Sequence, residues 1–507
     1  MSDPHLLDLI AAHLKTPRER LRFACVNRAC RQAVDQPRFW RDIKWQDVGG
    51  CEPGRAFSYP EAARMGNRLS ALLRQVGRHV ERLHLAGCPW LQATGLEDIA
   101  RCQRLVHLDV SGCSLYSVDL LGPLARSCPS LRSLVARGCA RIGEPAIIQG
   151  LWDAPEECGL QLEHLDLQGV LFPQDRVDTG GEDLGRAVAR LAGPRLASLR
   201  LGWLGEASSP EPYQGDLGPV MELLGRSGEH LRLLDLAGCC SLPGCERALP
   251  SALARLSSLT ALNLSNWVGG FALARGLRLC PATALTHLNL RGVDCVTDPD
   301  LAPLLSASPR LAAANLGCCR RLTDATLRAL AAAAAGALTA LDLCYASGMT
   351  SQGVLFASSA FPRLREFGFS GFAGLGDADV EAIATRLPGL RMIGIGGIPR
   401  LTDAALVCLA TRLGPSLESI YASDLPNVGP AGLAALLGPS GPSPGPGGLA
   451  FRGCPRLRRL AVERCPRLGP QDLAAVRHLQ WAFDGDMLDS EVVAAVNPYL
   501  APPDVQG

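Results

Sequence analysis

Apolar residues recur along most of the chain in the frame L-x-x-L-x-L-x-x-C, whose central L-x-L alternates apolar and polar positions as a short strand does. The frame is plainest at 80–88, 105–113, 131–139, 231–239 and 457–465, and looser copies bring the total to fourteen. Most copies start 25 to 28 residues apart, and the wider gaps hold turn-rich insertions. A near-constant spacing predicts stacked units, because an insertion then becomes a loop and leaves the next unit in register.

A helical segment follows the strand in many units, as in LTDATLRALAAAAA and LTDAALVCLATRL. Thr323 and Thr402 stand where a helix N-cap belongs, and Asp324 and Asp403 follow in the first turn, where a negative charge is favourable. The order strand then helix predicts an α/β solenoid with a parallel inner sheet and outer helices. It resembles the leucine-rich-repeat horseshoe, in the subclass whose frame ends in cysteine.

The cysteine that ends the frame stands where the chain turns away from the strand. A small, weakly polar side chain can be buried there, so we expect these cysteines in the core: Cys88, Cys113, Cys139, Cys239, Cys319 and Cys465. The alternative is a redox or metal role. The chain has 20 cysteines but no Cys-x-x-Cys pair, so we expect reduced thiols and no metal.

The first 45 residues do not fit the frame and predict a small all-α domain. Their order of a proline, a leucine-rich first helix, a second helix centred on Val-x-Arg and a late Phe-Trp pair resembles the F-box. The resemblance implies that these helices bind a Skp-family adaptor, and through it a cullin and a RING subunit. The implied adaptor-binding residues are Pro4, Leu6, Leu7, Ile10, Leu14, Leu21, Val26 and Trp40.

These patterns divide the chain into four predicted parts. An F-box-like domain at 1–45 precedes a linker at 46–79, which contains a predicted helix at 60–76 that caps the first repeat. The repeats run over 80–485 with a Pro/Gly-rich loop at 438–448, and 486–507 form a C-terminal cap or tail.

Two frame positions place polar residues on the predicted concave face, where a protein partner could bind. One holds His107, His164 and His287, and the other holds Asp109, Asp166 and Asp235 together with four further Asp or Asn residues. The alternative is an ordinary polar inner surface with hydrogen bonds between neighbouring strands. Neither set has sequential metal-ligand spacing.

The stretch MIGIGGIPRL at 392–401 resembles a phosphate-binding loop but fails the G-x-G-x-x-G pattern at Pro399. In frame, Gly394 and Gly396 fall at inward-facing positions, and Gly368 does the same one repeat earlier. We interpret them as strand residues without side chains. They predict a bare concave patch that a substrate protein can approach closely.

Charge and composition narrow the classes of function. Fifty basic and 49 acidic residues give a net charge of +1, so we expect no nucleic-acid or membrane partner. No signal sequence is evident, which favours the cytoplasm or nucleus. No nucleophile, base and oxyanion donor come together, so we expect no catalytic residues and no cofactor. Lysine occurs only at positions 15 and 44, whereas arginine is abundant.

The two resemblances together imply a substrate-recognition subunit of an SCF-type ubiquitin ligase, which binds targets on the repeats for degradation. One alternative is a non-ligase scaffold or cytoskeletal or axonemal adaptor, in which the N-terminal helices only cap the solenoid. Another is a small-molecule co-receptor, in which inward-facing Arg137, Arg200 and Arg291 hold a polyphosphate. The sequence does not identify the substrate protein.

Overall fold

A computed structural model describes residues 4–14, 17–49, 59–88, 90–91, 98–113, 121–139, 160–169, 185, 188–202, 218–239, 243–267, 270–438 and 453–479. Among these residues the chain forms two compact units, which meet in sequence between Ala248 and Leu249. The predicted tail at 486–507 lies outside the described residues, as does the predicted loop except for Gly438.

The first unit begins with short helices and continues as strands that pair in parallel in chain order. Its strands are β1 Asp42–Lys44, β2 Arg82–His84, β3 His107–Asp109, β4 Ser133–Val135, β5 His164–Asp166, β6 Ser198–Arg200 and β7 Leu233–Asp235. Its helices are α1 Pro4–His13, α2 Pro17–Ala24, α3 Arg28–Val34, α4 Pro37–Trp40, α5 Trp45–Gly49, α6 Tyr59–Val76, α7 Leu121–Ser127 and α8 Gly218–Ser227. Helix α9, Pro243–Leu253, contains the boundary between the units.

The second unit alternates strands and helices regularly, and its strands also pair in parallel in chain order. Its strands are β8 Ala261–Asn263, β9 His287–Asn289, β10 Ala313–Asn315, β11 Ala340–Asp342, β12 Glu366–Gly368, β13 Met392–Gly394, β14 Ser419–Tyr421 and β15 Arg459–Ala461. Its helices are α10 Phe271–Leu279, α11 Asp298–Ser306, α12 Asp324–Ala334, α13 Ser351–Ala360, α14 Asp377–Arg386, α15 Asp403–Leu413, α16 Pro430–Leu437 and α17 Pro470–Val476.

The predicted repeat frame is confirmed strand by strand, since β2 to β15 each begin two residues after the start of a frame copy. The predicted linker helix is α6, and Thr323 and Thr402 are the N-caps of α12 and α15. One strand was missed: β1 pairs with β2 and lies before the first frame copy. It lacks the leucine frame, and Ile43 is its buried central residue.

The central residue of each strand is buried and packs between the sheet and the helices. The predicted core cysteines are confirmed as buried free thiols. Several donate a hydrogen bond to a backbone carbonyl of the preceding repeat, as from Cys139 to Val110 at 2.9 Å and from Cys319 to Leu290 at 2.9 Å. Burial raises the pKa of both thiols to about 12, so they remain protonated.

The turn after most of the strands contains a residue in the left-handed conformation. The third residue past the end of the strand has a positive φ after β2 to β5 and after β7 to β15. Glycine occupies this position in eight of these turns, because it adopts such angles without steric cost. The exceptions lie in the second unit: Asn266, Cys318, Tyr345, Asp424 and Arg464, with φ between 53 and 60°.

Candidate partner-binding surfaces

The N-terminal helices form a small packed group in which α1 and α2 both contact α3. The Arg20 guanidinium donates to the carbonyl of Leu14 at 3.0 Å and to that of Phe39 at 2.5 Å, and so links the end of α1 to α4. The indole nitrogen of Trp40 donates to the carbonyl of Val34 at 2.5 Å. These bonds fix the angles at which α1 and α4 meet the group.

The residues predicted to bind an adaptor differ in accessibility. Leu7 and Trp40 are buried within the helical group, while Ile10, Leu14 and Leu21 are half-buried. Leu6 and Val26 are 45% and 68% exposed, and Leu9, which the sequence reading omitted, is 52% exposed. Pro4 is the first residue of α1.

The prediction that Val26-Asn27-Arg28 lies at the centre of a helix is wrong. Val26 lies in the turn between α2 and α3, and the side chain of Asn27 caps α3 by accepting from the backbone nitrogen of Cys30 at 2.8 Å. Val26 is 68% exposed in this turn, so it is available to a partner.

Histidines of consecutive strands form a polar row in the first unit. The rings of His84 and His107 lie 4.9 Å apart between centroids, and His107 Nδ1 lies 2.8 Å from the hydroxyl of Ser133. Burial lowers the pKa of His107 to about 3 and that of His164 to about 4, so both rings are neutral near pH 7. His287, in the second unit, is half-buried, and its Nδ1 lies 2.9 Å from the Thr286 hydroxyl.

The predicted Asp and Asn row has a local role in both units. Each side-chain oxygen accepts a hydrogen bond from the backbone nitrogen two residues on. The Ser111 nitrogen donates to Asp109 at 2.9 Å, and the Cys344 nitrogen donates to Asp342 at 2.9 Å. The same bond is made by Asp166, Asp235, Asn263, Asn289 and Asn315. This side-chain hydrogen bond provides an acceptor for a backbone N–H that has no partner in the sheet at the end of the strand.

The three arginines considered for polyphosphate binding each lie beside a carboxylate. Arg200 is completely buried and bonds to Asp166 and Asp235 at 3.1 and 3.2 Å. Arg137 lies 3.7 Å from Asp166, and Arg291 lies 3.3 Å from Asp342. Their charges are balanced within the chain, so the structure does not favour the co-receptor alternative.

The glycine patch is not bare as the sequence suggested. Gly368 and Gly394 are register partners in β12 and β13, but Gly396 lies in the turn after β13 rather than in a strand. A Cβ added at Gly396 would lie 2.6 Å from a ring carbon of Tyr421, and one at Gly371 would lie 2.5 Å from the ring of Tyr345.

Two tyrosines therefore flank the glycine floor and form a cavity of about 70 Å³, which we call the tyrosine pocket. It is lined by Arg291, Cys344, Tyr345, Gly368, Met392, Gly394 and Tyr421. Neither tyrosine was predicted from the sequence to line a site. The available signal was a tyrosine at position 345, where most repeats have the left-handed glycine.

Within the described ranges, no group of three or more His, Cys, Asp or Glu residues is placed to hold a metal ion. Across the same residues, no helix has both the length and the apolar character needed to cross a bilayer.

Parallel strands in chain order, alternation with helices and a buried cysteine after the strand define a leucine-rich-repeat protein. Residues 69–138 match the family model of the leucine-rich repeats of F-box/LRR-repeat protein 18. Over 68 residues the chain is 38% identical to human F-box/LRR-repeat protein 18. The aligned segment makes up 13% of this chain and 9% of the human protein. The chain therefore spans less than a tenth of the length of that relative.

Two solved structures match the chain at low sequence identity. The Rad7–Elc1 complex in yeast matches with a TM-score of 0.47 and 16% identity, covering 79% of this chain and 90% of the other. An internalin from Listeria monocytogenes matches with a TM-score of 0.42 and 16% identity, covering 72% and 90%.

Proposed function

We propose that this protein is a substrate-recognition subunit of an SCF-type ubiquitin ligase, in which the N-terminal helices bind a Skp-family adaptor and the repeats bind the target protein. One observation carries the proposal. The helical group that precedes the segment matching F-box/LRR-repeat protein 18 keeps Leu6, Leu9 and Val26 exposed, although large apolar side chains favour burial. A partner that covers them would bury that surface.

In this role the chain supplies binding, and the associated cullin and RING subunits bring the ubiquitin-charged enzyme to the target. The buried residues Leu7 and Trp40 then act indirectly, because they hold α1 and α4 in place beneath the exposed side chains. We place the protein in the cytoplasm or nucleus, where such assemblies act on their targets.

The test is retention of a purified Skp-family adaptor by the full chain. Leu6→Asp, Leu9→Asp and Val26→Asp each place a charge on an exposed position, so the fold should persist while adaptor retention falls at least tenfold. Phe271→Asp is the matched control, since Phe271 is 85% exposed on α10 in the other unit. Undiminished retention by the triple variant would refute this adaptor surface, and no retention by wild type would favour the scaffold alternative.

A further inference from the structure

The tyrosine pocket lies where the row of Asp and Asn residues stops. The last strand residue is Asn289, Asn315 and Asp342 in β9 to β11, but it is Gly368 in β12 and Gly394 in β13. The backbone nitrogen of Gly396 therefore has no side-chain acceptor at Gly394. A Cβ at Gly394 would lie 3.2 Å from the Cα of Gly368, so the floor is closely packed backbone.

The size of the pocket limits the group that it can accept. A cavity of about 150 Å³ in a protein core binds benzene. The tyrosine pocket has about half that volume. It therefore fits a small ring or a short branched side chain better than the larger side chains of Phe, Trp and Arg.

Charge around the pocket favours a neutral occupant. Arg291 is paired with Asp342, and Arg464, next to the tyrosines, makes two bonds of 2.5 and 2.6 Å with Asp424. Burial raises the pKa of Tyr345 to about 12 and raises that of Tyr421. Both phenols therefore stay neutral and keep their O–H donors.

Two polar groups beside the floor bear on the choice of ligand. They are the backbone nitrogen of Gly396, which can only donate, and the buried hydroxyl of Ser370, which has no hydrogen-bond partner among the described residues. The thiol of Cys344, a weak acceptor, is already used by the backbone nitrogen of Ser370 at 3.3 Å. A peptide carbonyl supplies an acceptor for the Gly396 nitrogen, and a proline residue has such a carbonyl without adding an N–H that needs an acceptor of its own.

Tyr345 differs from the other residues at this turn position by its ring. A left-handed φ is shared by four other non-glycine residues of the second unit, but Tyr345 places a large aromatic ring there, and the residue is 42% exposed rather than packed in the core. Tyr345 therefore adds an aromatic wall beside the glycine floor.

We infer that the tyrosine pocket binds a proline residue of an extended partner segment, with the proline ring between Tyr345 and Tyr421 over the Gly368–Gly394 floor. Such segments are already restricted before binding, so less conformational entropy is lost. The inference deepens the proposed function by naming the chemistry of the target segment. The pocket lies wholly within the second unit and requires no adaptor.

The test is binding of synthetic ten-residue peptides to the full chain, without adaptor. Each peptide is acetylated and amidated and consists of Ala and Ser around two adjacent central prolines. One of these two central positions is varied through all residue types. We expect proline to be preferred at that position, with binding detectable by ligand-observed NMR at about 1 mM peptide, and Asp, Lys and Trp to abolish binding. The absence of any preference for proline at that position overturns the inference.

Variants at Tyr345 distinguish an effect on binding in the pocket from an effect on the stability of the fold. Tyr345→Gly removes one wall and relieves the backbone strain, so proline binding should fall about tenfold while the thermal midpoint stays the same or rises. Asn266→Gly and Cys318→Gly make the same change in other repeats and should leave binding intact. Equal binding by wild type and Tyr345→Gly contradicts the inference. If proline binding is not found but the adaptor is retained normally, the inference about the pocket is refuted and the proposed ligase role is unaffected.

Discussion

The carboxylate of Asp324 accepts hydrogen bonds from both the backbone nitrogen and the hydroxyl of Thr350, at 2.9 and 2.6 Å. Asp324 lies in the first turn of α12, and Thr350 is the N-cap of α13 in the next repeat. The pairs Asp298–Thr323 and Asp377–Thr402 make the same two bonds. This ladder joins the starts of consecutive helices.

Replacing the carboxylate should loosen the start of the next helix. Asp324→Ala leaves the amide of Thr350 without its acceptor, and we expect a loss of about 1–2 kcal/mol in the free energy of unfolding. Hydrogen exchange should accelerate at Thr350. Asp294→Ala is the control, because Asp294 is an exposed aspartate outside the ladder, and equal effects of the two changes would argue against the ladder.

The ladder also explains why the third residue of α13 is a glycine, Gly353. A Cβ added at Gly353 would collide with the carboxylate of Asp324. Gly353→Ala should therefore destabilise the protein by about 1–3 kcal/mol, although alanine favours a helix more than glycine does. In the Asp324→Ala background the same change should be neutral or stabilising, because the clash is gone. Urea unfolding of the four proteins in this cycle measures the coupling, and additive effects would contradict it.

Much of this fold follows from the sequence, because the leucines that must be buried also mark the strands. Frame copies give the position of every strand from β2 to β15, and Thr323 and Thr402 mark helix starts. Strand β1 was not predicted, because Ile43 and Trp45 alternate outside any copy of the leucine frame. Trp45 packs against Trp90, with the rings 5.2 Å apart, a contact across 45 residues that no local pattern reveals.

The candidate sites were less predictable, because they depend on side-chain direction. The frame places Gly368 and Gly394 on the inner face but does not show that Tyr345 and Tyr421 turn over them. The N-terminal pattern places Leu6 and Leu7 on one helix without showing that only Leu7 is buried. Packing of α1 against α3 decides that difference.

The buried triad of Asp166, Arg200 and Asp235 should matter strongly for the stability of the first unit. Asp235→Ala leaves the buried Arg200 guanidinium with only one of its two carboxylate partners. Removing one partner of a buried ion pair lowers the free energy of unfolding by about 3–5 kcal/mol. Asp235→Asn keeps an oxygen for the backbone nitrogen of Ala237 and should cost less. Thermal unfolding ranks these variants against Arg137→Ala, whose side chain is 43% exposed. A cost for Asp235→Ala no larger than for Arg137→Ala would mean that the triad contributes little.

Stability of the first unit should fall in mild acid because of His107. Burial is the main cause of its lowered pKa, with repulsion from His84, Arg82 and His164 and an opposing attraction to Asp42. The unfolded state binds a proton below about pH 6.5, whereas the folded state does so only near pH 3. Stability contributed above pH 6.5 is therefore lost as pH falls, by about 2 kcal/mol between pH 7 and 5.

Urea unfolding of wild type and His107→Gln at pH 7 and 5 measures this loss. The variant keeps a group that can bond to the Ser133 hydroxyl but does not titrate, so its stability should change less between the two pH values. His230→Gln, at an exposed position of the first unit, should behave like wild type. A pH dependence unaltered by His107→Gln would assign the loss to other groups.

The scarcity of lysine has a consequence if the chain works beside a ubiquitin-charged enzyme, because few of its own amines are then available for modification. Neutral codon preference for arginine is the competing explanation. Arg275, Arg310 and Arg328 are exposed in the second unit, so the triple Arg→Lys variant keeps the charge and adds three amines. If the protein acts as proposed, the variant should have a lifetime in cells at least two-fold shorter, restored by proteasome inhibition. Combining it with Leu6→Asp, Leu9→Asp and Val26→Asp should also restore the lifetime, because the adaptor is lost. An unchanged lifetime in the triple lysine variant would leave codon preference as the explanation.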